Sequence, residues 1–590
     1  MIGLQFKPNY FLSQNTFFAG CRYCHFFSLL IDFSQYDTET QKRHTFLKKI
    51  IQIPVHRYFF CVEEEKMNYF KGRSLCVIDD FSKEERLYLF EKVRELKKAI
   101  ADGDTEKRDS FRINDPDFGI YEVFLEDSTR TKESFRNAAE FHHAKLTEMS
   151  ADNSSFNKGE SFSDTFNTLC GYNNRIFIIR SKVEGVTRHL DEECTKYAER
   201  NNLGFKPVFI NAGDGKHEHP TQELLDEYSF LEDNNWDTSY LHIALVGDLY
   251  HGRTVHSKAD GLTLWSKVKV DLIAPQELAM PEAYVTKMRE NGFEVTEYPS
   301  IEEYLKSGKC ADKWYFTRPQ LERMGEKILQ KQDELRKSIT FRKEFMDKLP
   351  QNTRFYHPLP RHKVHPTIPT FLDETPLNGW EKQSINGMYT RIVLLALVSG
   401  RIGDDFVPQI RKKEVKDEDW IVEVKPGEKK TRVISEGVNP IRNGIVIDHI
   451  CRGEKPEEIR RHMILMRRVM NLDSLKGGEW VSQGSDGSYK GIIFRIGHFD
   501  LSHKEIKRLA ASAPGCTLNI IEDGEVKRKI RTHIPPRIYN FDDLMCTNDA
   551  CISNDSQNEH VGSMFLRTPD NRFVCAYCGR VHTFKEIFKH

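Results

Sequence analysis

The stretches Pro207-Val208-Phe209-Ile210 and His242-Ile243-Ala244-Leu245-Val246 are short apolar runs of the kind that form buried strands. Upstream of them, Ser82-Lys83-Glu84-Glu85 is a capping box with Phe81 before the cap, a pattern typical of a helix start. The helix behind it is indicated by apolar residues at helical spacing: Leu89, Val93, Leu96 and Ile100. Because such runs alternate with helical patterns, the sequence predicts an α/β architecture with parallel sheets.

The bulk composition is that of a soluble globular protein. The chain has 590 residues, a formal net charge of −1 and 30% charged residues. This length suggests roughly four domains, and the charge gives no general attraction to a polyanion such as nucleic acid. No apolar run reaches the ~18 residues of a membrane span, and the N-terminus lacks the pattern of a secretory signal. Thirteen cysteines in so long a chain do not suggest a disulfide framework, which favours a reducing cytoplasm.

Two segments differ from the rest of the chain. Residues 1–66 are rich in aromatic residues without a sustained period, and we interpret Met67 as the functional start and this segment as a dispensable extension. Its Cys21-Arg22-Tyr23-Cys24 could bind a metal, but no second cysteine pair follows nearby. The segment from about 405 to 435 is charge-dense and poor in apolar residues, which is typical of a solvated linker and not of a binding patch.

The part of the chain behind this linker has a pattern of its own. Residues 444–450 (GIVIDHI) indicate a strand, Pro456 opens a helix, and a strand near 488–496 follows. Ser502-His503-Lys504-Glu505 is a second capping box, and Asp523-Gly524 joins two further strands. We interpret the order as β-α-β-β-α-β, that of a small ferredoxin-like domain.

Four cysteines near the C-terminus have metal-site spacing. They form two close pairs, Cys546 with Cys551 and Cys575 with Cys578. Four thiolates in two knuckles make a closed tetrahedral site, which predicts one structural Zn²⁺. The alternative, a redox dithiol, does not need four paired cysteines. Residues 548–560 around the first pair are not basic, which disfavours a nucleic-acid-binding zinc ribbon.

Five motifs in the first part of the chain carry candidate chemistry. Ser128-Thr129-Arg130-Thr131 precedes a helical segment, where hydroxyls, a guanidinium and a helix end can bind phosphate; the alternative is a simple helix cap. Residues 211–215 (NAGDG) and 219–222 (HPTQ) can place an imidazole and an amide in one cleft, although a loop histidine is the simpler interpretation. The remaining motifs are residues 247–257 (GDLYHGRTVHS), 317–320 (TRPQ) and 357–361 (HPLPR).

In order and spacing these motifs resemble the aspartate carbamoyltransferase catalytic chain over nearly all of residues 67–402. Residues 386–391 (NGMYTR) resemble the closing helix of that family. Ornithine carbamoyltransferase is an alternative. It shares the motif at residues 128–131, here called the phosphate box, but typically reads HCLP where this chain reads HPLP. A further alternative is a non-catalytic assembly scaffold, which the intact set of phosphate and oxyanion donors disfavours.

The resemblance implies transfer of the carbamoyl group of carbamoyl phosphate to L-aspartate, a step of de novo pyrimidine biosynthesis. Residues that would bind carbamoyl phosphate are Ser128, Thr129, Arg130, Thr131, Arg180, His219 and Gln222, and those with a catalytic role would be Arg130, Thr131, Arg180 and His219. Aspartate would be bound by Arg253, Arg318, Gln320, Leu359 and Pro360. The family's loop that reaches into the neighbouring subunit would contribute Ser154 to carbamoyl phosphate and Lys158 to both substrates, which implies a catalytic trimer.

The chain departs from the family pattern at three places. Asp127 stands before the phosphate-box serine, where the family usually has a small residue or proline, and Lys132 stands where an arginine is usual. The acidic group of Asp127, beside a phosphate site, should weaken phosphate binding unless its side chain points away from the site. Residues 102–118 are an apparent insertion.

The second half resembles the aspartate carbamoyltransferase regulatory chain over about 436–590. The resemblance implies that the zinc domain docks on the catalytic part and that ATP or CTP acts as effector. Effector residues would be Asp448, His449, Lys490, Arg495 and Lys529, with Phe494 in place of Arg495 if the register slips by one. Since arginine is not interchangeable with the family's lysine, the alternative is a domain that docks and senses nothing.

We therefore expect a two-lobed parallel-sheet carbamoyltransferase fold, a ferredoxin-like α+β domain and a small zinc-ribbon-like β domain. The expected division is an extension (1–66), a carbamoyl-phosphate domain (67–236, with closing helix 380–402), an aspartate domain (237–379), a linker (403–435), a regulatory nucleotide domain (436–535) and a zinc domain (536–590).

Overall fold

The computed structural model describes residues 68–150, 159–320, 331–408, 421–425 and 441–588, apart from positions 474, 485 and 500. The segment expected to be an N-terminal extension, with Cys21 and Cys24, lies outside the described residues, as do Ser154 and Lys158. Over the described ranges, strands form two parallel and two antiparallel sheets. None of the helices in these ranges has the length and apolar character needed to cross a membrane.

The part of the chain that resembles a catalytic chain, here called the catalytic half, alternates strands and helices, as its apolar runs predict. Its strands are β1 (Gly119–Phe124), β2 (Lys145–Ser150), β3 (Asn174–Ser181), β4 (Val208–Asp214), β5 (Tyr240–Val246), β6 (Lys267–Ile273), β7 (Glu294–Tyr298), β8 (Lys313–Phe316) and β9 (Arg354–Tyr356). Its helices are α1 (Lys83–Asp102), α2 (Thr105–Ser110), α3 (Thr129–Phe141), α4 (Phe162–Gly171), α5 (Val186–Arg200), α6 (Pro220–Asp233), α7 (Arg253–His256), α8 (Lys258–Gly261), α9 (Glu282–Glu290), α10 (Ile301–Lys306), α11 (Gln332–Ile339) and α12 (Trp380–Ser399).

The first lobe is built on a parallel sheet with strand order β2-β1-β3-β4. Every residue of β4 is buried, because helices cover both faces of the sheet; this explains why residues 207–210 are continuously apolar. Parallel strands bring their carboxyl ends to one edge. The phosphate box, which follows β1, and the segment from the end of β4 to His219 therefore meet there.

The second lobe has a parallel sheet of order β7-β6-β5-β8-β9. Its motifs at 247–257, 317–320 and 357–361 follow β5, β8 and β9, again at carboxyl ends. Helix α12, late in the chain, returns to the first lobe and packs against α1, α3 and α6. The apolar cores of the lobes are continuous, since Ile210, Ile243 and Leu394 belong to one buried cluster.

The part of the chain that resembles a regulatory chain, here called the regulatory region, forms an antiparallel sheet of order β10-β15-β14-β11-β13-β12 with two helices. Its elements are β10 (Ile421–Glu423), β11 (Gly444–Ile450), α13 (Pro456–Val469), β12 (Gly477–Gln483), β13 (Tyr489–Ile496), α14 (His503–Ser512), β14 (Thr517–Glu522) and β15 (Glu525–Thr532). The sequence did not locate β12, whose two glycines and weak alternation give little strand signal. Within the expected linker, Ile421–Glu423 adds an edge strand against β15.

The C-terminal region is a small antiparallel sheet that docks on the first lobe of the same chain. Its strands are β16 (Arg537–Ile538), β17 (Phe565–Arg567), β18 (Phe573–Cys575) and β19 (Val581–His582). Ile552 and Tyr577 share a buried cluster with Val186 of α5. A main-chain hydrogen bond also links the two regions: the Glu184 N–H donates to the Ala550 carbonyl at 2.7 Å.

Candidate active site

A cavity of about 810 Å³ lies where loops from both lobes meet α12. Every predicted substrate-binding residue that falls within the described ranges lines it: Ser128, Thr129, Arg130, Thr131, Arg180, His219, Gln222, Arg253, Arg318, Gln320, Leu359 and Pro360. The fold thus gathers twelve residues from five separate motifs and strand β3 around one space.

The phosphate box is the first turn of α3. The helix begins at Thr129 with Ser128 as its N-cap, and the Ser128 side chain makes no capping hydrogen bond. No acidic residue lies in the first turn, so main-chain N–H groups and the positive end of the helix dipole remain available to an anion. Asp127 also lines the cavity but is exposed, where solvent screens its charge.

Three predicted catalytic and binding side chains surround Gly213. A Cβ atom at this position would lie 2.8 Å from Nη1 of Arg180, 3.1 Å from Nη1 of Arg253 and 3.3 Å from Cδ2 of His219. Gly213 also has φ of 114°, which residues with a side chain rarely adopt. Arg180 Nη1 donates to the neighbouring Ala212 carbonyl at 3.0 Å. Glycine is therefore required for the guanidinium groups and the imidazole to converge.

His219 is buried as the N-cap of α6 and is held neutral. Burial, aided by the charges of Arg180, Arg391 and Arg253, lowers its pKa well below the usual value. The Thr221 hydroxyl oxygen accepts from Arg391 Nη2 at 3.3 Å and lies 3.4 Å from His219 Nδ1. Since that hydroxyl hydrogen can be donated to Nδ1, the ring proton belongs on Nε2, which can donate towards the cavity.

Two acidic residues organise the side chains and loops of the site and were not predicted from the sequence. Glu126 Oε2 accepts from Arg253 Nη2 at 2.7 Å and lies 3.4 Å from Arg180 Nη2. Buried Asp248 accepts from the main-chain N–H of Gln320 at 2.9 Å, which ties the 317–320 loop to the end of β5. The only sequence signal was position: Glu126 precedes the phosphate box, and Asp248 lies in the GDL motif.

Residues near the C-terminal end of the catalytic half complete the cavity wall. His357, Gln383 and Arg391 line it but were not assigned roles from the sequence. Gln383 Oε1 accepts from the His357 N–H at 2.9 Å, and His357 Nδ1 accepts from the Leu359 N–H at 2.8 Å. Burial lowers the pKa of His357 to about 3, so this imidazole is also neutral. These contacts fix the loop that contains Leu359 and Pro360.

The four C-terminal cysteines form a cluster suited to a metal ion. Their sulfur atoms are buried and lie within 4.8 Å of one another. Cys546 Sγ is 3.6 Å from Cys578 Sγ, and Cys551 Sγ is 3.8 Å from Cys575 Sγ. Tetrahedral coordination with metal–sulfur bonds of about 2.3 Å requires sulfur separations of about 3.8 Å. The donor set and its spacing therefore fit a closed tetrahedral site.

Glu184 connects this cysteine cluster to the active-site loop. Its Oε2 accepts from Asn548 Nδ2 at 2.6 Å, and its Oε1 accepts from the Lys216 N–H at 2.8 Å. Asn548 lies between the first two cysteines, and Lys216 lies in the loop between β4 and α6. The carboxylate thus bridges the C-terminal domain and the catalytic lobe.

Part of the predicted effector set converges on one face of the regulatory sheet. Lys490 Nζ lies 2.9 Å from Asp448 Oδ1, and the His449 N–H donates to that carboxylate at 2.7 Å. On β14, Thr517 pairs with Asp448 and Asn519 pairs with Lys529. Because Thr517 and Asn519 are two residues apart, Asp448 and Lys529 lie on the same face of the sheet. These four residues come from β11, β13 and β15.

Of the two alternatives from the sequence, Phe494 and not Arg495 lies on the same face as Asp448. Val446 pairs with Phe494 and Ile445 with Arg495, so Phe494 shares the face of Val446 and Asp448. Arg495 turns to the helix-covered face, where its guanidinium is buried and donates to the carbonyls of Leu472 and Phe494, each at 2.9 Å. This is the one-residue difference in register that the sequence left open.

Comparison with known proteins gives matches over most of the described chain. The carbamoyl-P binding domain of aspartate/ornithine carbamoyltransferases matches residues 73–232 and the Asp/Orn binding domain matches 239–398. The allosteric and metal binding domains of the aspartate carbamoyltransferase regulatory chain match 436–533 and 536–588. Fold and site together define a carbamoyltransferase fused to a regulatory chain.

Two relatives that match over nearly their whole length identify the family to which this chain belongs. Protein PyrBI of Treponema denticola is 66% identical over 528 residues, 88% of this chain and 99% of the relative, and Protein PyrBI of Thermotoga maritima is 50% identical over 526 residues with the same coverage. The crystal structure of Trypanosoma cruzi aspartate transcarbamoylase with N-(phosphonacetyl)-L-aspartic acid shares 26% identity over 56% of this chain and 97% of its own, with a TM-score of 0.49. The chain belongs to the PyrBI family, and it is an aspartate carbamoyltransferase with a fused regulatory domain.

Proposed function

We propose that the twelve residues around the cavity act as one site for carbamoyl transfer. The phosphate of carbamoyl phosphate binds at the start of α3, and L-aspartate binds towards the second lobe. The observation that carries this proposal is the convergence of predicted phosphate donors and predicted carboxylate partners on the same cavity. Residues that hold the phosphate are Ser128, Thr129, Arg130, Thr131 and Arg180.

The reaction needs no covalent intermediate with the enzyme. The amino nitrogen of aspartate attacks the carbonyl carbon, which forms a C–N bond and places negative charge on the carbonyl oxygen. The C–O bond to phosphate then breaks, and the leaving phosphate takes up the amine proton. The products are N-carbamoyl-L-aspartate and phosphate. The rate comes from holding the two reactants in line and from stabilising the oxyanion.

Thr131, Arg180 and His219 are the donors to that oxyanion. Neutral His219, with its proton on Nε2, donates a hydrogen bond and does not transfer a proton, because its pKa is lowered by burial. Gln222 contacts the carbamoyl nitrogen. Removal of one oxyanion donor typically lowers kcat by roughly 10²–10³.

Aspartate is recognised as a dicarboxylate. Arg253 and Arg318 each offer a planar fork that binds a carboxylate through two hydrogen bonds, and Gln320 adds an amide. The carbonyls of Leu359 and Pro360 accept from the amino group. Two guanidinium groups would repel the cationic side chain of ornithine, which supports aspartate as the acceptor.

The test is product formation from carbamoyl phosphate with either aspartate or ornithine. We expect carbamoyl aspartate alone, and a fall in kcat of about 100-fold or more for Arg180→Ala and His219→Ala. Arg175→Ala, on the same strand as Arg180 but not among the cavity residues, is the matched control and should keep wild-type kcat. Preference for ornithine, or full activity of both site variants, would refute the assignment.

We further propose that Cys546, Cys551, Cys575 and Cys578 hold one structural Zn²⁺. The sulfur spacing of 3.6 and 3.8 Å supports this, as does the preference of zinc for thiolates. When bound, the ion crosslinks the two cysteine knuckles and leaves no coordination position open. Metal analysis should give one zinc per chain, and a chelator should unfold the C-terminal domain. A zinc-free protein with unchanged unfolding would contradict the proposal.

We also propose a homotrimer with shared active sites, on the resemblance of the loop with Ser154 and Lys158. Mixing inactive Lys158→Ala subunits with inactive Arg180→Ala subunits should then restore part of the activity, because some sites would receive both intact residues. No recovery of activity in mixed oligomers would exclude shared active sites.

The need to keep the four thiols reduced supports a cytoplasmic location.

For the regulatory region we propose a nucleotide effector, ATP or CTP, at Asp448, His449, Lys490 and Lys529. The match of residues 436–533 to the allosteric domain supports this. We retain the domain division expected above, with residues 421–423 assigned to the regulatory domain because they pair with β15. Calorimetry with each nucleotide should give binding that Lys490→Ala weakens; no heat with either nucleotide would favour a domain that only docks.

A further inference from the structure

Asp226 lies behind the cavity wall, fully buried on α6, one helical turn after Gln222. We propose that Asp226 is a positioning residue: it fixes which end of the Gln222 amide faces the substrate, and it thereby selects carbamoyl phosphate over acyl phosphates that lack an amino group. The proposal rests on the proposed contact between Gln222 and the carbamoyl nitrogen.

Asp226 receives three hydrogen bonds. Its Oδ1 accepts from Gln222 Nε2 at 2.8 Å and from Gln383 Nε2 at 2.6 Å. Its Oδ2 accepts from buried Lys258 Nζ at 2.9 Å. A carboxylate can only accept, so both glutamines must turn their NH₂ groups towards Asp226.

The amide oxygen of each glutamine is then left for another partner. For Gln383 that partner is the His357 N–H, at 2.9 Å. Gln222 lines the cavity, so its Oε1 is the atom that meets the substrate and accepts from the carbamoyl NH₂. Acetyl phosphate has a methyl group at that place. It would leave the buried oxygen without a donor, which weakens its binding relative to carbamoyl phosphate.

Lys258 determines what an asparagine at position 226 would do. The ammonium is a donor only, so the asparagine oxygen must face Lys258 and its NH₂ must face the glutamines. Gln222 would then turn its oxygen towards residue 226 and its NH₂ towards the carbamoyl NH₂. Two donors would face each other at the position that distinguishes the substrates.

The test compares kcat/KM for carbamoyl phosphate with the inhibition constant of acetyl phosphate, in the full-length enzyme. Asp226→Asn should lower the preference for carbamoyl phosphate by about tenfold or more, and acetyl phosphate should bind within about threefold of wild type. Glu223→Gln is the matched control, because Glu223 is also buried on α6 and accepts from Lys258 at 2.8 Å, but its carboxylate makes no hydrogen bond to either glutamine. It should keep the wild-type preference.

A second substitution separates positioning from general damage. In Asp226→Asn with Lys258→Met the cation is gone, so the asparagine oxygen can face the glutamines again and the preference should recover. Equal losses for both ligands in Asp226→Asn, or no recovery in the double variant, would overturn the proposal. If Asp226→Asn does not fold, Asp226→Ala should also lower the preference, since it frees the Gln222 amide to turn.

Gln222→Met distinguishes this proposal from the one on which it rests. If Gln222→Met keeps the preference for carbamoyl phosphate, the contact between Gln222 and the carbamoyl nitrogen is wrong. If Gln222→Met loses the preference while Asp226→Asn keeps it, Gln222 recognises the substrate without Asp226, and only the positioning role is wrong.

Discussion

Replacing Gly213 with alanine should damage the active site through three side chains at once. The new Cβ would lie 2.8 Å from Arg180 Nη1 and 3.3 Å from His219 Cδ2, distances at which something must move. Loss of one charge-assisted hydrogen bond to the substrate costs about 1.5–3 kcal/mol. Because we propose that Arg180 and His219 both donate to the oxyanion, we expect kcat to fall by about 100-fold or more. The strained φ of 114° should also cost about 1–3 kcal/mol of unfolding free energy.

The assay is steady-state formation of carbamoyl aspartate alongside denaturant unfolding. Gly204→Ala is the matched control, because Gly204 also has a positive φ, 74°, but a Cβ there would meet no atom within 4 Å. It should lose about 1–2 kcal/mol of stability and keep full activity. If Gly213→Ala retained kcat within about threefold of wild type, the three side chains around this glycine would not form the catalytic arrangement.

Three further predictions address substrate binding, domain coupling and pH. Arg318→Ala should raise the KM for aspartate by about 10- to 100-fold and leave the Kd of carbamoyl phosphate unchanged, measured by kinetics and calorimetry; a change in carbamoyl phosphate binding would count against the assignment. The Glu184 carboxylate accepts a hydrogen bond from the Lys216 N–H at 2.8 Å, so Glu184→Ala should speed hydrogen exchange of the Lys216 amide. The control Glu193→Ala, on the neighbouring helix α5, should leave this exchange rate unchanged. Burial lowers the pKa of His142 to about 4, below its unfolded value of 6.5, so its contribution to stability is complete above pH 6.5 and is lost as pH falls towards 4. Thermal unfolding should therefore show a loss of about 1.4 kcal/mol per pH unit for this group, which His142→Gln removes; equal slopes in both proteins would contradict it.

Much of the catalytic half could be predicted from the sequence because its signals are local. Continuous apolar runs such as residues 207–210 give buried parallel strands, and the motifs at strand ends then meet by topology alone. Glu126 and Asp226 could not be predicted in this way. Their significance depends on partners far along the chain, Arg253 for the one and Lys258 and Gln383 for the other, and no local pattern records such contacts.

The regulatory half shows where local patterns fail. The sequence of β12 has a weak strand signal because it contains Gly477 and Gly478. Residues 421–423 look like part of a linker because the strand is short and lies among charged residues. The sequence alone does not decide between Arg495 and Phe494 for the effector set, and two neighbouring side chains on a strand point to opposite faces. Register along a strand is fixed by its partners, and the sequence of β13 alone does not contain them.

The most direct test of the account is a crystal structure of this protein with N-(phosphonacetyl)-L-aspartic acid, which joins a phosphonate to aspartate in one molecule. We predict the phosphonate at the start of α3, bound by Arg130 and Arg180, and the two carboxylates bound by Arg253 and Arg318. A molecule bound with its phosphonate away from α3, or with carboxylates that contact neither arginine, would contradict the account.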